Sequence, residues 1–188
     1  MNSELKDLII KDLSRIYKNG RMSFKQRLFM PLEIRYLILW RKASFYKHNK
    51  PSSPVGKWYN YRLFRLSQKT QIQIPAAVTA GKGLFIGHLG RIIMHPDTVL
   101  GDNVNIATGI TIGQANRGKY KGTPVIGNRV WIGTNAVIVG AVTIGDDVLI
   151  GPGAYVNTDI PAHSIVIGNP AVIHSCENAT RDYINNMV

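Results

Sequence analysis

The chain has 188 residues, and its 23 lysines and arginines exceed its 11 aspartates and glutamates, giving a formal net charge of +12. A chain of this length can bury a sizeable core, and its single cysteine, Cys176, excludes an internal disulfide and suits a reducing compartment. No stretch approaches the roughly 18 consecutive apolar residues of a membrane-spanning helix, and the start of the chain lacks the apolar segment of a secretory signal.

The positive charge belongs to residues 1–70, which hold 16 basic and 4 acidic residues, whereas residues 71–188 hold seven of each. In this N-terminal segment apolar side chains recur at helical spacing and predict helices over residues 3–17, 31–45 and 57–69. We therefore expect a basic α-helical segment, which either attracts a polyanion or presents a solvated charged surface.

From residue 94 to residue 170 an aliphatic side chain returns at every sixth position. After Pro124 this leading series reads Ile126, Ile132, Ile138, Ile144, Ile150 and Val156. A second series follows four residues later: Val130, Ala136, Val142, Val148, Ala154 and Ile160. A period of six fits neither a lone helix nor an alternating strand, and it is typical of the hexapeptide class of parallel β-helix. The less favoured alternative is a run of short sandwich strands.

The period predicts three parts of the chain: the helical segment 1–70, a solenoid domain over 71–173, and a tail over 174–188 with helical potential. One break interrupts the solenoid between Ile112 and Ile126, where the intervening stretch is polar, rich in glycine and longer than one rung requires. Loops that protrude from a solenoid often form its binding surface. We expect loop 113–124 to do so, although a harmless surface insertion gives the same pattern.

Six segments resemble known enzymes. The sequences GLFIGH at 83–88, IIMHPDT at 92–98, LGDNVNI at 100–106 and GITIG at 109–113 resemble the serine-acetyltransferase-like branch of the hexapeptide-repeat acyltransferases. The sequences VIGNRVWIG at 125–133 and VIGNPA at 166–171 resemble the wider acetyl-CoA-dependent superfamily. The resemblance covers residues 71–173 and implies a mainly β protein, a left-handed parallel β-helix that is usually a homotrimer with active sites between subunits.

The resemblance also implies roles for individual residues. His88 matches the general base that takes a proton from an acceptor hydroxyl, with a structural histidine as the alternative. Gln73 stands where the family has the acidic partner of that base, and it can orient a ring nitrogen but cannot stabilise an imidazolium as a carboxylate does. His95 is a second candidate for the same cleft. Backbone contacts with acetyl-CoA are implied at Gly113, Gly133, Thr134, Gly151 and Pro152, and no metal is expected.

Two departures from the serine acetyltransferases bear on the acceptor. Gln73 replaces the acid, and residues 117–123 lack the histidine that the family carries in its loop. We therefore expect direct acetyl transfer, in a ternary complex, to a sugar hydroxyl of a bacterial surface polysaccharide (capsule, exopolysaccharide or lipopolysaccharide) or its precursor. The expected acceptor contacts are Arg117, Lys119, Tyr120 and Lys121.

The first alternative is a serine O-acetyltransferase of cysteine biosynthesis. A γ-carbonic-anhydrase-like zinc enzyme needs three converging histidines, and it is less favoured, as is a non-catalytic solenoid. The expected partners are an acidic saccharide or lipid-linked glycan and further copies of the chain, with assembly beyond the trimer through the N-terminal helices. We expect a cytoplasmic location with peripheral association at the inner face of the plasma membrane. Nucleic acid is not expected, because no recognition motif accompanies the charge.

Overall fold

The computed structural model describes residues 2–188 and begins with a helical region. Its helices are α1 (Ser3–Ser14), α2 (Phe24–Leu28), α3 (Leu32–Asn49) and α4 (Pro54–Thr70), with a short 3₁₀ turn at Lys18–Gly20. The three predicted helices are confirmed as α1, α3 and α4. The short α2 is missed, although Ser23 and Gln26 form a capping box that the sequence already contains. Among the described residues, no helix combines the length and the hydrophobicity that crossing a bilayer requires.

Fifteen short strands follow the helices. They are β1 (Ile72–Gln73), β2 (Thr79–Ala80), β3 (Phe85–Ile86), β4 (Ile92–Met94), β5 (Val99–Leu100), β6 (Asn105–Ile106), β7 (Thr111–Gly113), β8 (Val125–Ile126), β9 (Val130–Ile132), β10 (Val137–Val139), β11 (Thr143–Ile144), β12 (Val148–Ile150), β13 (Tyr155–Val156), β14 (Ser164–Ile167) and β15 (Val172–Ser175). Each turn of the chain adds one strand to each of three sheets.

The three sheets form the sides of a prism. Sheet A has the order β1-β4-β7-β10-β13, sheet B has β2-β5-β8-β11, and sheet C has β3-β6-β9-β12-β14-β15. Neighbouring strands are parallel except β15, which pairs antiparallel with β14. The predicted parallel solenoid is confirmed, and the sandwich alternative is wrong because consecutive strands from β1 to β14 lie in different sheets.

The core of the prism is built from the six-residue period. Both apolar series point inward and are buried along their whole length. Backbone bonds join successive turns, as from the N–H of Gly127 to the carbonyl of Ile144 (2.8 Å). One polar atom lies among the buried groups without a partner in the described chain, the hydroxyl of Thr98. The turns thus satisfy one another's backbone groups, so that exposed strand edges remain only at the two ends of the stack.

The helices cover the first turn of the solenoid. The hydroxyl of Tyr36 accepts the N–H of Ile74 at 3.0 Å, and the indole N–H of Trp40 donates to the carbonyl of Pro75 at 3.0 Å. Arg41 makes a two-pronged bond to the carboxylate of Asp12, at 2.7 and 3.0 Å. Burial raises the pKa of Asp12, and the Arg41 guanidinium opposes that rise. A buried ion pair and two aromatic side chains therefore hold α1 and α3 against the prism.

The tail runs back along the outside of sheet C. Thr180 donates its hydroxyl to Asp147 at 2.6 Å, the ring of Tyr183 packs edge-on against Trp131, and the N–H of Val188 donates to Asn103. The predicted helical potential of the tail is wrong, because the residues after β15 form turns whose polar groups bond to the solenoid. Strand β15 also continues two residues beyond the predicted boundary at residue 173, and the three-part division of the chain stays a prediction.

Candidate active site

His88 stands at the corner where sheet C passes into sheet A. The strand register aligns Ile86, Ile106, Ile132 and Ile150 in sheet C. Two residues beyond each of them lie His88, Thr108, Thr134 and Pro152, which we call the His88 column. Because neighbouring strands are about 4.8 Å apart, His88 and Thr134 are separated by about 10 Å along the prism. Sequence reasoning omits Thr108, which the strand register places between His88 and Thr134.

The backbone around His88 is fixed, while its side chain is exposed. The N–H of Gly87 donates to the carbonyl of Ile106 at 3.0 Å, and the N–H of Gly90 donates to the carbonyl of Thr70, where α4 ends. Gly90 has a φ of +130°, and a Cβ there would collide with the hydroxyl of Thr108. The chain can therefore turn tightly after His88, which leaves the imidazole exposed on the corner.

The predicted cofactor contacts divide between two corners. Thr134 is half-buried and Pro152 exposed in the His88 column, so both present surface that a bound chain can touch. Gly133 and Gly151 are buried beside them, and a Cβ at Gly133 would approach the nitrogen of Pro152 to 2.7 Å. These two glycines therefore serve the close stacking of turns. Gly113 lies at the end of β7, on the opposite edge of sheet A.

His95 also lies away from the His88 column. Its N–H donates to the carbonyl of Ile112 at 2.8 Å, which places it directly beneath Gly113 at the corner between sheets A and B. Its ring nitrogen Nδ1 accepts the N–H of Asp97 at 3.3 Å and lies 3.8 Å from the Asp97 carboxylate. The structure thus groups His95 with the base of loop 113–124.

Loop 113–124 is a small hairpin that folds over the later turns. Ala115 and Gly122 exchange two backbone bonds of 2.9 and 3.0 Å. The hydroxyl of Tyr120 lies 3.2 Å from that of Thr158, and this hydrogen bond together with Lys119 lowers the pKa of Tyr120. The ammonium of Lys119 lies 4.9 Å from the ring of Tyr120. Arg117, Lys119 and Lys121 are exposed. The loop therefore presents three cations to solvent while Tyr120 anchors it to the solenoid.

Gln73 lies on the outer face of β1, paired in register with Ile93 of β4. Its side chain is exposed, and no hydrogen bond joins it to His88 in the described chain. Across residues 2–188 no group of three His, Cys, Asp or Glu side chains is arranged to hold a metal ion. The chemistry available at the corner is therefore that of a single exposed imidazole beside a surface built from backbone and small side chains.

The sequence is similar to characterised families. A family model described as bacterial transferase hexapeptide (six repeats) matches residues 123–158. The serine acetyltransferase of Helicobacter pylori is 40% identical over 102 residues, which are 54% of this chain and 60% of that protein. The serine acetyltransferase of Bacillus pumilus is 34% identical over 115 residues, which are 60% of this chain and 53% of that protein. The chain thus spans 60% or less of the length of these two relatives.

Solved structures give a longer match. The serine acetyltransferase from Brucella abortus superposes with a TM-score of 0.79 at 25% identity, covering 95% of this chain and 72% of that one. The Neisseria gonorrhoeae enzyme in complex with serine gives 0.74 at 26% identity, covering 91% and 69%. The Brucella abortus enzyme in complex with coenzyme A gives 0.77 at 25% identity, covering 94% and 70%.

These findings overturn the predicted polysaccharide acceptor, because the relatives and the solved structures are serine acetyltransferases. The prediction rested on Gln73 and on a loop without histidine. Such changes alter local contacts, whereas the similarity extends over the solenoid that carries the site. The predicted roles in capsule and polysaccharide biosynthesis are withdrawn with it. Residues 123–158 are similar to the bacterial hexapeptide transferases, and the solenoid has the left-handed β-helix fold of the solved serine acetyltransferases.

Proposed function

We propose that the protein is an acetyl-CoA-dependent O-acetyltransferase that acts on L-serine, with His88 as the general base. The observation that carries the proposal is the superposition of 91% of the chain on a serine acetyltransferase in complex with serine, together with the exposed imidazole at one corner of the shared fold. The identity of 40% to a curated serine acetyltransferase supports the same acceptor.

The proposed reaction is direct transfer. One ring nitrogen of neutral His88 takes the hydroxyl proton of serine while the serine oxygen attacks the thioester carbonyl of acetyl-CoA. A C–O bond forms, the C–S bond breaks, and the leaving thiolate takes the proton back from the imidazolium. An alcohol is a weak nucleophile near neutral pH, so a positioned base contributes roughly 10²–10⁴-fold to the rate.

We place acetyl-CoA along the His88 column. Thr134 and Pro152 are accessible there, one and two turns beyond Thr108. A donor lying along this corner would bring its thioester to His88 at one end. Gly133 and Gly151 would act by keeping the turns closely stacked. Contacts of the acceptor with Arg117, Lys119, Tyr120 and Lys121, and roles for Gln73 and His95, stay predictions.

We further propose that the active unit is a homotrimer. The cavities of about 560 and 510 Å³ in the described chain lie elsewhere, between α3 and α4 and beside the tail. His88 stands instead on an open corner, which lacks the second wall that excludes water from a reacting thioester. A neighbouring copy of the prism would supply that wall. Assembly beyond the trimer and a cytoplasmic location stay predictions.

The test is acetylation of L-serine by the purified protein, measured as the release of the free thiol of coenzyme A. The wild type should turn over L-serine, and His88→Ala should lower kcat/KM by roughly 10²–10⁴-fold, since that is what a positioned base contributes. The matched control is His174→Ala, because His174 is an exposed histidine on β15, far from the corner. It should leave the rate unchanged.

Two results would contradict the proposal. Serine-dependent thiol release no faster in the wild type than in His88→Ala would exclude His88 as the base. Release that is equally fast with and without L-serine would exclude serine as the acceptor. Light scattering that finds monomers in an active preparation would separately contradict the homotrimer.

A further inference from the structure

An exposed apolar and basic surface lies on the helices α2, α3 and α4. No side chain of α2 is buried, and Phe24 and Phe29 at its two ends are 83% and 71% exposed. Leu28 is exposed beside them, and Lys25 and Arg27 belong to the same helix. A short helix that presents two phenylalanines to water leaves unburied much of the apolar surface that normally stabilises a fold.

The surface continues into a groove between α3 and α4, with a volume of about 560 Å³. Met30, which follows Phe29 directly, belongs to the apolar lining of this groove, as do Leu39 and Leu66. Five cations line it: Arg35, Lys42, Arg62, Arg65 and Lys69. None of its lining residues is acidic. The groove and α2 therefore form one continuous surface that is both apolar and strongly positive, which we call the helical surface.

Aromatic rings are interleaved with the cations. The guanidinium of Arg62 lies 4.8 Å from the ring of Trp58, and the ammonium of Lys42 lies 5.7 Å from the ring of Tyr59. Trp58 itself is 50% exposed. Such pairs hold a cation beside an amphipathic ring, so that apolar and charged groups lie next to each other on the same surface.

We propose that the helical surface docks on an anionic lipid bilayer. Aromatic side chains such as Trp58 are favoured at the level of lipid headgroups, where one part is apolar and the other wet. Protruding phenylalanines, as at positions 24 and 29, can enter the acyl boundary while neighbouring cations contact headgroup phosphates. The proposal concerns a surface and requires no particular acceptor, so it stands apart from the proposed function.

Charge and shape favour this occupant over two others. A second copy would bring either its own helical surface or its solenoid. Two helical surfaces repel each other, because residues 1–70 carry the whole excess of positive charge, and the solenoid has no net negative charge to pair with the cations of the groove. An acidic amphipathic peptide fits the groove between α3 and α4, but it leaves Phe24 and Phe29 in water. A bilayer is extended enough to contact both parts.

The test is flotation of the purified full chain with vesicles of phosphatidylcholine alone and of phosphatidylcholine mixed with phosphatidylglycerol. We expect binding to the mixed vesicles only, and less binding as ionic strength rises. Arg65→Gln should weaken partitioning about fivefold, the effect of one cation near an anionic surface. Phe24→Ser combined with Phe29→Ser should weaken it by roughly tenfold or more.

Matched controls lie on the solenoid side of the molecule. Arg181→Gln removes one exposed cation from the tail, and Ile173→Ser removes an exposed apolar side chain from β15. Both should bind vesicles as the wild type does. Serine acetylation in solution is measured on every variant and should not change, so that failure of docking and failure of the proposed activity are separate results.

Three outcomes would overturn the proposal. The first is no binding to phosphatidylglycerol vesicles at low ionic strength, and the second is equal loss of binding in the controls. The third is a wild type that ignores vesicles while light scattering shows that Phe24→Ser with Phe29→Ser breaks an oligomer. That result would assign the helical surface to a second copy of the chain.

Discussion

The solenoid and the N-terminal helices are stabilised by different kinds of interaction. The solenoid is stabilised by the same interaction in every turn, the burial of aliphatic side chains in one column, and residues 71–188 carry no net charge. The helices carry the entire excess charge and join the prism through a few specific contacts. The most buried are those of the Arg41–Asp12 pair, in which Arg41 donates to the carbonyls of Ala80 and Gly81 and Asp12 accepts the N–H of Leu84. A repeated core spreads stability over many equivalent positions, whereas a joint of this kind concentrates it in single side chains.

The largest expected effect is therefore at the joint. Arg41→Ala leaves the carboxylate of Asp12 buried without its cation and should lower the free energy of unfolding by about 3–5 kcal/mol. Urea denaturation followed by circular dichroism measures this. Arg21→Ala, at an exposed position between α1 and α2, is the control and should change stability by less than about 0.5 kcal/mol. Equal effects of the two substitutions would mean that the helices do not depend on the ion pair.

A second joint fastens the tail to the solenoid, and its strength depends on pH. Burial raises the pKa of Asp147, but hydrogen bonds from Thr180, His163 and Ala179 outweigh it and lower the pKa from 3.8 to about 2. A lowered pKa contributes stability that is complete above about pH 4 and is lost as pH falls towards 2. Asp147→Asn should therefore cost about 2 kcal/mol at neutral pH.

The difference in the free energy of unfolding between Asp147→Asn and the wild type should disappear in acid. Denaturation at neutral pH and near the folded pKa compares Asp147→Asn with the wild type, and the gap between them should narrow as pH falls. The control is Asp182→Asn, because the Asp182 side chain is exposed and it is the backbone carbonyl of Asp182 that accepts the side-chain N–H of Asn185. A constant gap across this range would show that the Asp147 hydrogen bonds do not stabilise the tail.

The smallest expected effect lies inside the regular solenoid. Thr98 is a buried threonine just before β5, and its hydroxyl has no hydrogen-bond partner among the described residues. Thr98→Val keeps the shape and removes the desolvated hydroxyl, so it should raise the free energy of unfolding by about 1 kcal/mol. Thr143→Val, on the exposed face of β11, is the matched control and should give no such gain. Destabilisation by Thr98→Val would point to a hydrogen bond that the fold needs.

The period of six predicts the prism and its core because one physical requirement repeats at each turn. It does not predict the alignment of His88 with Thr134 and Pro152, because the turns from Ile86 to Ile106 and from Ile106 to Ile132 are longer than three six-residue rungs, and only the strand register reveals that alignment. The burial of Arg41 was beyond sequence reasoning, because a count of charges does not distinguish a solvated cation from one enclosed by two helices. The path of the tail was likewise hidden, since its contacts pair residues about 30 to 170 positions apart.

The predicted acceptor failed for a related reason. Gln73 and the loop 113–124 are single deviations from a family pattern, and each says that a contact has changed without saying what replaces it. The loop turned out to be a hairpin anchored by Tyr120 on Thr158, over the turns beyond its own. The position of the loop depends on how many turns lie between its base and its contact at Thr158, and no local sequence motif gives that number.

The tail spans most of the stack of turns and contacts it at several levels. It leaves the last turn at β15, contacts Asp147 and then Trp131, and reaches Asn103 in an early turn and Arg15 just after α1. A prism with one turn more would move Asp147 away from Asn103 by about 4.8 Å, and the tail would miss its last partners. A change in the number of repeats therefore requires a matching change in the length of the tail.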